Sequence, residues 1–141
     1  MEIKTKGRHA VRVMADIARN QTNTGNLEGF VPVADISARQ GISSKYLEHI
    51  IAKLSASGLV ISQRGAKGGY RLARRPEQYS VMEILLGAGE KLQISTCSHK
   101  GECPRAGHCD TQGVWGTLDR LIADYLGKVT LQDLLDKTYK I

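Results

Sequence analysis

The sequence predicts a mostly α-helical fold carrying one small β-hairpin, and three observations support that class. Apolar residues recur every three to four positions over most of the chain, the period of a helix with one buried face. Ser, Thr and Gly punctuate these stretches where helices start and stop. Only between Leu59 and Leu72 does the pattern change, to two short runs of β-formers flanking Arg64-Gly-Ala-Lys-Gly-Gly.

In order, residues 7–20 form an amphipathic helix with Ala10, Val13, Met14, Ile17 and Ala18 on one face and Arg12, Asp16 and Arg19 at the surface. Residues 21–30 make a polar loop without evident chemistry. Pro32 opens a helix of about 33–40, and Gly41 ends it in the left-handed conformation. Ser43 or Ser44 caps a second helix running through Tyr46, Leu47, Ile50, Ile51 and Leu54 to Ser57, where Gly58 stops it.

Two short helices joined by a glycine turn have the helix-turn-helix layout. Ile36, Ile42, Leu47 and Ile50 sit where the helices must pack, so Ser43, Ser44, Lys45, Glu48 and His49 face outward, toward a major groove. An ordinary helical hairpin would look the same; the next segment separates the two readings. Leu59-Val-Ile-Ser-Gln and Tyr70-Arg-Leu are strands around a glycine-rich turn, and a helix-turn-helix followed by a hairpin is a winged helix. Arg64 and Lys67 make the wing tip basic, suited to phosphates or a minor groove, and Arg74 and Arg75 add charge beyond it.

Ser80 with Glu83 fits a capping box for a short helix through Leu85 and Leu86, ended by Gly87 and Gly89. A long helix follows from Gly113 to Leu126, with Val114, Leu118, Leu121, Ile122 and Tyr125 on one face and Gly127 as its stop. Thr130 with Asp133 caps a last short helix. The long helix is more apolar than a small wing domain could cover, which favours a dimerisation helix over packing on its own domain. The expected organisation is therefore a winged helix-turn-helix domain over 1–80 and a cysteine-loop and dimerisation region over 81–141.

With 141 residues, 41% hydrophobic and 24% charged, the chain has the makings of one globular core. No apolar run is long enough for a membrane span, and Arg8, Arg12 and Asp16 interrupt what would be a signal peptide, so a cytoplasmic location is expected. Residues 1–80 hold 13 Lys and Arg against 6 Asp and Glu, whereas residues 81–141 hold 7 against 8. All of the net +6 charge thus belongs to the first half, pointing to nucleic acid as its partner. No catalytic triad, carboxylate pair or phosphate-binding loop stands out, so an enzyme is not expected; Cys109 beside His108 is too close in sequence to align as nucleophile and base.

All three cysteines fall in one stretch, Cys97, Cys103 and Cys109, at Cys-x5-Cys-x5-Cys spacing. Gly101, Pro104 and Gly107 rule out a long helix there, leaving a loop that can fold three sulfurs round a common centre. In a reducing compartment such thiols suit a soft metal or an iron-sulfur cluster better than disulfides. A zinc or simple thiol site, with His99 or His108 completing it, is the competing reading, though zinc knuckles usually use Cys-x2-Cys pairs.

Taken together, Lys6-Gly-Arg-His-Ala-Val, Val33-Ala-Asp-Ile-Ser-Ala-Arg-Gln-Gly-Ile-Ser, Tyr46-Leu-Glu, Gly58-Leu-Val, Arg64-Gly-Ala-Lys-Gly-Gly-Tyr, the three cysteines and Trp115 match a family in order along nearly the whole chain. The sequence resembles the IscR/NsrR/CymR-type winged-helix transcription regulators of bacteria, most closely the iron-sulfur cluster regulators among them. The resemblance implies a homodimer on a palindromic double-stranded DNA operator and a cluster that tunes its binding. It implies Cys97, Cys103 and Cys109 as cluster ligands, with 2Fe-2S favoured over 4Fe-4S. It places Ser43, Lys45, Glu48 and Arg64 at DNA-contact positions, beside Ser44, Tyr46 and Lys67. One departure stands out: where the resemblance expects a histidine three residues after the last cysteine, this chain has Gln112, a poor iron ligand. His99, His108, Asp110 or a partner's His9 then become candidates for the fourth position, which an open site would leave to solvent.

Overall fold

The computed structural model describes residues 1–21, 29–98 and 103–139. Most of the loop expected at 21–30 lies outside the described residues, as do His99, Lys100 and Gly101. The elements are α1 (Thr5–Asn20), α2 (Val33–Gln40), α3 (Ser44–Ala56), β1 (Val60–Gln63), β2 (Gly69–Leu72), α4 (Val81–Gly87), α5 (Gln112–Lys128) and α6 (Leu131–Asp136), with 3-10 turns at Pro76–Gln78 and Thr96–Ser98. This is the expected winged helix-turn-helix, mostly α with one hairpin, followed by a long helix.

The core forms where the apolar faces of α1, α2 and α3 meet. Met14, Ile17, Ile36, Leu47, Ile50 and Leu54 are all fully buried there, each stabilising the fold by about 1.5–3 kcal/mol before entropy is counted. Gly41, at φ +65°, makes the turn between α2 and α3, and its N–H donates to the Ser37 carbonyl. The core also takes Ile84 and Ala88 from the α4 region and Leu131 from α6, residues on the far side of position 80. Met14 is core as its place on the apolar face of α1 predicts; Met82, whose type also predicts burial in the core, is only half-buried.

β1 and β2 pair antiparallel, Val60 opposite Leu72 and Gln63 opposite Gly69. An isolated β-bridge adds to them: Val31 and Tyr70 exchange both backbone hydrogen bonds, at 2.8 and 2.9 Å. That contact explains Gly69, since a Cβ there would stand 2.2 Å from the Val31 carbonyl oxygen and the residue sits at φ +152°.

Tyr79 ties the hairpin to everything after it. Its fully buried hydroxyl donates to the Leu59 carbonyl at 2.7 Å and accepts from the Arg74 N–H at 2.9 Å. Its own carbonyl accepts from the Leu131 N–H at 3.0 Å, and next to it Ser80 and Thr130 form a β-bridge. The chain thus leaves the wing at Tyr79, travels out along α5, and returns to the same point.

Four local expectations need correction. Pro32 is the residue before α2 rather than its first turn. Gly127 does not stop the long helix, which continues to Lys128; the stop is tertiary, because the Val129 carbonyl is drawn out to accept from the Val81 N–H. Ser80 caps α4, accepting from the Glu83 N–H, but the Glu83 carboxylate turns to Arg74 instead of completing a capping box. Asp16, placed at the surface by periodicity, is buried.

The reason is a polar lock between α1 and α2. Asp16 accepts from Arg39 Nε at 3.0 Å and Nη2 at 2.8 Å, and from Gln40 Nε2 at 2.8 Å. Arg12 donates to both the side chain and the carbonyl of Gln40. The Asp16 side chain is 2% exposed and that of Arg39 39%, so the pair sits at the edge of the core with one side in water. The carboxylate beside it raises the Arg39 guanidinium's hold on its proton. Removing the arginine would strand a buried carboxylate. Arg39→Ala should therefore cost about 2 kcal/mol, the low end for a buried pair because water can follow at the open edge; a urea melt showing under about 0.5 kcal/mol, as for a surface pair, would remove the lock from the account.

Candidate nucleic-acid interface and cysteine loop

The start of α3 presents the expected residues. Ser43 is the cap residue: its hydroxyl accepts from the Tyr46 N–H at 3.3 Å, which fixes where the helix begins. Ser44, Lys45, Tyr46, Glu48 and His49 are all exposed, while Leu47 and Ile50 between them point into the core. A helix anchored by one face and polar on the other is what a groove reader requires.

Arg64 and Lys67 lie exposed at the hairpin tip, around Gly65 at φ +107°. The two arginines beyond the wing have different fates. The Arg74 guanidinium stacks 4.4 Å from the Tyr79 ring centre and pairs with the Glu83 carboxylate, which raises its hold on its proton, while its side chain stays 38% exposed. Arg75 lies exposed beside it without such a carboxylate pair among the described residues.

The sequence singled out neither Lys53 nor Glu90, and it gave His9 and Lys6 no place beside α3. His9, half-buried on α1, meets the Tyr46 ring edge-on at 5.8 Å. Burial, with Arg12 and Arg8 nearby, lowers its pKa, so the neutral form is favoured. This puts His9, a candidate fourth ligand, against the helix-turn-helix of its own chain. Lys6 and Lys53 stand together, and contact with the Lys53 ammonium, followed by burial, lowers the Lys6 pKa. Glu90 caps α1 from 83 residues away: its buried carboxylate accepts from the Gly7 N–H at 3.1 Å, where Lys4 offers no side-chain cap. A Cβ at Gly7 would lie 2.6 Å from that carboxylate.

The cysteine loop joins α4 to α5. Cys97, Cys103 and Cys109 are free thiols, each half-buried. Cys109 lies 3.3 Å from the Thr111 hydroxyl, and that contact, with help from the Thr111 and Gln112 backbone and Arg105, lowers its thiol pKa. Gln112, first residue of α5, reaches back over the loop: its amide nitrogen donates to the Cys97 carbonyl at 3.1 Å and its oxygen accepts from the Gly107 N–H at 2.9 Å. His108 and Asp110 are exposed.

Among the described residues, no three His, Cys, Asp or Glu side chains converge closely enough to hold one metal ion. The donor set fits an iron-sulfur cluster: three free thiols on one loop, one with its thiolate favoured.

Along α5, Val114, Leu121 and Tyr125 are 59%, 60% and 38% exposed, with Trp115 and Leu118 exposed beside them; no residue of this helix is buried. An apolar helix face left uncovered marks an interaction site. No helix among the described residues is long and apolar enough to cross a membrane.

Comparison with known proteins agrees with this architecture. The family model described as Rrf2, iron-dependent transcriptional regulator, matches residues 3–137. The HTH-type transcriptional regulator IscR of Vibrio parahaemolyticus is 39% identical over 136 residues, covering 96% of this chain and 77% of its own. Among solved structures, T. potens IscR superposes with a TM-score of 0.72 at 34% identity, over 98% of this chain and 88% of its own. CymR, the global cysteine regulator of B. subtilis, superposes with a TM-score of 0.78 at 26% identity, over 97% and 98%. The chain belongs to the Rrf2 family, whose members are DNA-binding transcription regulators and not enzymes.

Proposed function

We propose that this Rrf2-family regulator binds a palindromic operator as a homodimer joined through α5, and that an iron-sulfur cluster on Cys97, Cys103 and Cys109 sets its affinity. The observation carrying this reading is continuity: the cysteine loop runs without a break into the helix whose apolar face is uncovered. The IscR relatives and the iron-dependent description of the family support the cofactor. A 2Fe-2S centre is favoured over 4Fe-4S.

Each part of the chain has a definite task in that reading. The exposed side of α3, with Ser43, Ser44, Lys45, Tyr46 and Glu48, enters the major groove, and Arg64 and Lys67 approach the backbone or minor groove. Phosphates near Lys6 and Lys53 would relieve the repulsion between two neighbouring ammonium groups. Packing two copies of α5 removes the stripe Val114, Leu118, Leu121 and Tyr125 from water and sets the distance between the reading heads. When bound, a cluster supplies cross-links between thiolates that only the backbone otherwise joins. Joining Cys97, Cys103 and Cys109 would orient the first turn of α5 through Gln112, and Tyr79 would carry a change of α5 and α6 back to the wing.

Arg64→Ala should weaken operator binding by about 1–3 kcal/mol, roughly tenfold or more, and flatten its salt dependence; unchanged affinity in a fluorescence titration would take the wing out of the interface. Cys103→Ala should remove the visible absorbance of anaerobically purified protein while leaving the dimer folded, and a retained spectrum would show the ligands to be misassigned. Leu121→Glu touches no buried contact of the protomer, so its thermal melt as a monomer should stay ordinary while sedimentation shows the dimer lost. A dimer that survives this change does not use α5.

A further inference from the structure

We infer that Gln112 is a positioning residue: a two-point clamp that holds the cysteine loop open and in register with α5 whether or not anything is bound to the thiols. Its amide is the one side chain bonded to both arms of the loop among the described residues, donating to the Cys97 carbonyl at 3.1 Å and accepting from the Gly107 N–H at 2.9 Å. Both partners are backbone groups, so the clamp fixes the path of the chain and leaves all three sulfurs free. The anchor is itself fixed, because the Gln112 N–H donates to the Cys109 carbonyl at 3.3 Å in the first turn of α5.

Neutral amide chemistry suits this task. A glutamine presents a donor and an acceptor on one planar group, and Cys97 and Gly107 need one of each. A glutamate would keep the acceptor for Gly107 but face the Cys97 carbonyl with a second acceptor. An alanine would serve neither. Gly107 sits at φ +85°, a conformation that most side chains resist, so its N–H is presented to Gln112 by a backbone shape the sequence has chosen locally. Without the clamp, the 3-10 turn at Thr96–Ser98 and the segment after Cys103 have separate freedom, and the entropy of ordering both falls on whatever binds the thiols.

The inference rests on the reading of the loop as the cofactor site, but its test does not need the cofactor. Full-length protein, prepared without metal, is compared with Gln112→Ala and Gln112→Glu. Two readouts are taken: hydrogen exchange at the Gly107 amide and the alkylation rate of Cys97 by iodoacetamide, each relative to core amides of α1. Gln112→Ala should speed both by roughly threefold to tenfold, the loss of one hydrogen bond at each end. Gln112→Glu should speed Cys97 alkylation while Gly107 stays protected. Rates unchanged in the alanine variant would overturn the clamp, and equal loosening at both ends in the two variants would overturn the donor-acceptor assignment. A colourless native protein would remove the cluster from the proposed function while leaving this pattern standing, so the two failures are distinguishable.

Discussion

The structure turns on the buried hydroxyl and carbonyl of Tyr79. A phenol in an apolar core needs a partner for its O–H, and here it has two: the Leu59 carbonyl at the root of β1 and the Arg74 N–H just beyond β2. The Tyr79 carbonyl then accepts from Leu131, the first residue of α6. One side chain therefore fastens both ends of the wing, and its backbone receives the chain returning from α5. The far end of the molecule cannot swing independently of the hairpin, because the root of the hairpin and the end of the excursion share a residue.

Charge is distributed by the same logic of commitment. Asp16, Arg39, Gln40 and Arg12 are used to hold α1 against α2, and Arg74 is used on Glu83 and the Tyr79 ring. Arg64 and Lys67 of the wing, Lys45 on α3, and Arg8 and Arg19 on α1 remain outward. Lys6 lies between the Lys53 ammonium, which lowers its pKa, and the Glu90 carboxylate, which opposes that shift.

The cysteine loop follows a different rule. Its thiols are left half-buried and unbridged, and the order it has comes from Gln112, Thr111 and the local turns. The loop adjoins α5, so the thiols and the exposed apolar face of that helix lie on one stretch of chain.

The helices, their caps, the wing and the cysteine spacing were legible in the sequence because each depends on contacts within a few residues: Ser43 capping α3, Gly41 turning between α2 and α3, Thr130 with Asp133 opening α6. The family resemblance was legible for the same reason, as it rests on those local motifs in order. What only the tertiary structure decided are pairings across long separations. Asp16 reads as a surface residue until Arg39 and Gln40 arrive 23 and 24 residues later, and Glu90 meets Gly7 from 83 residues away. Gly127 reads as a helix stop, yet the helix ends where Val129 is captured by Val81. Gln112 reads as a missing ligand, and its two hydrogen bonds appear only when Cys97 and Gly107 have been brought to either side of it. Periodicity reports which face of an element is apolar; it carries no information about which polar group will be waiting on the neighbouring element, because that depends on the packing of the whole chain.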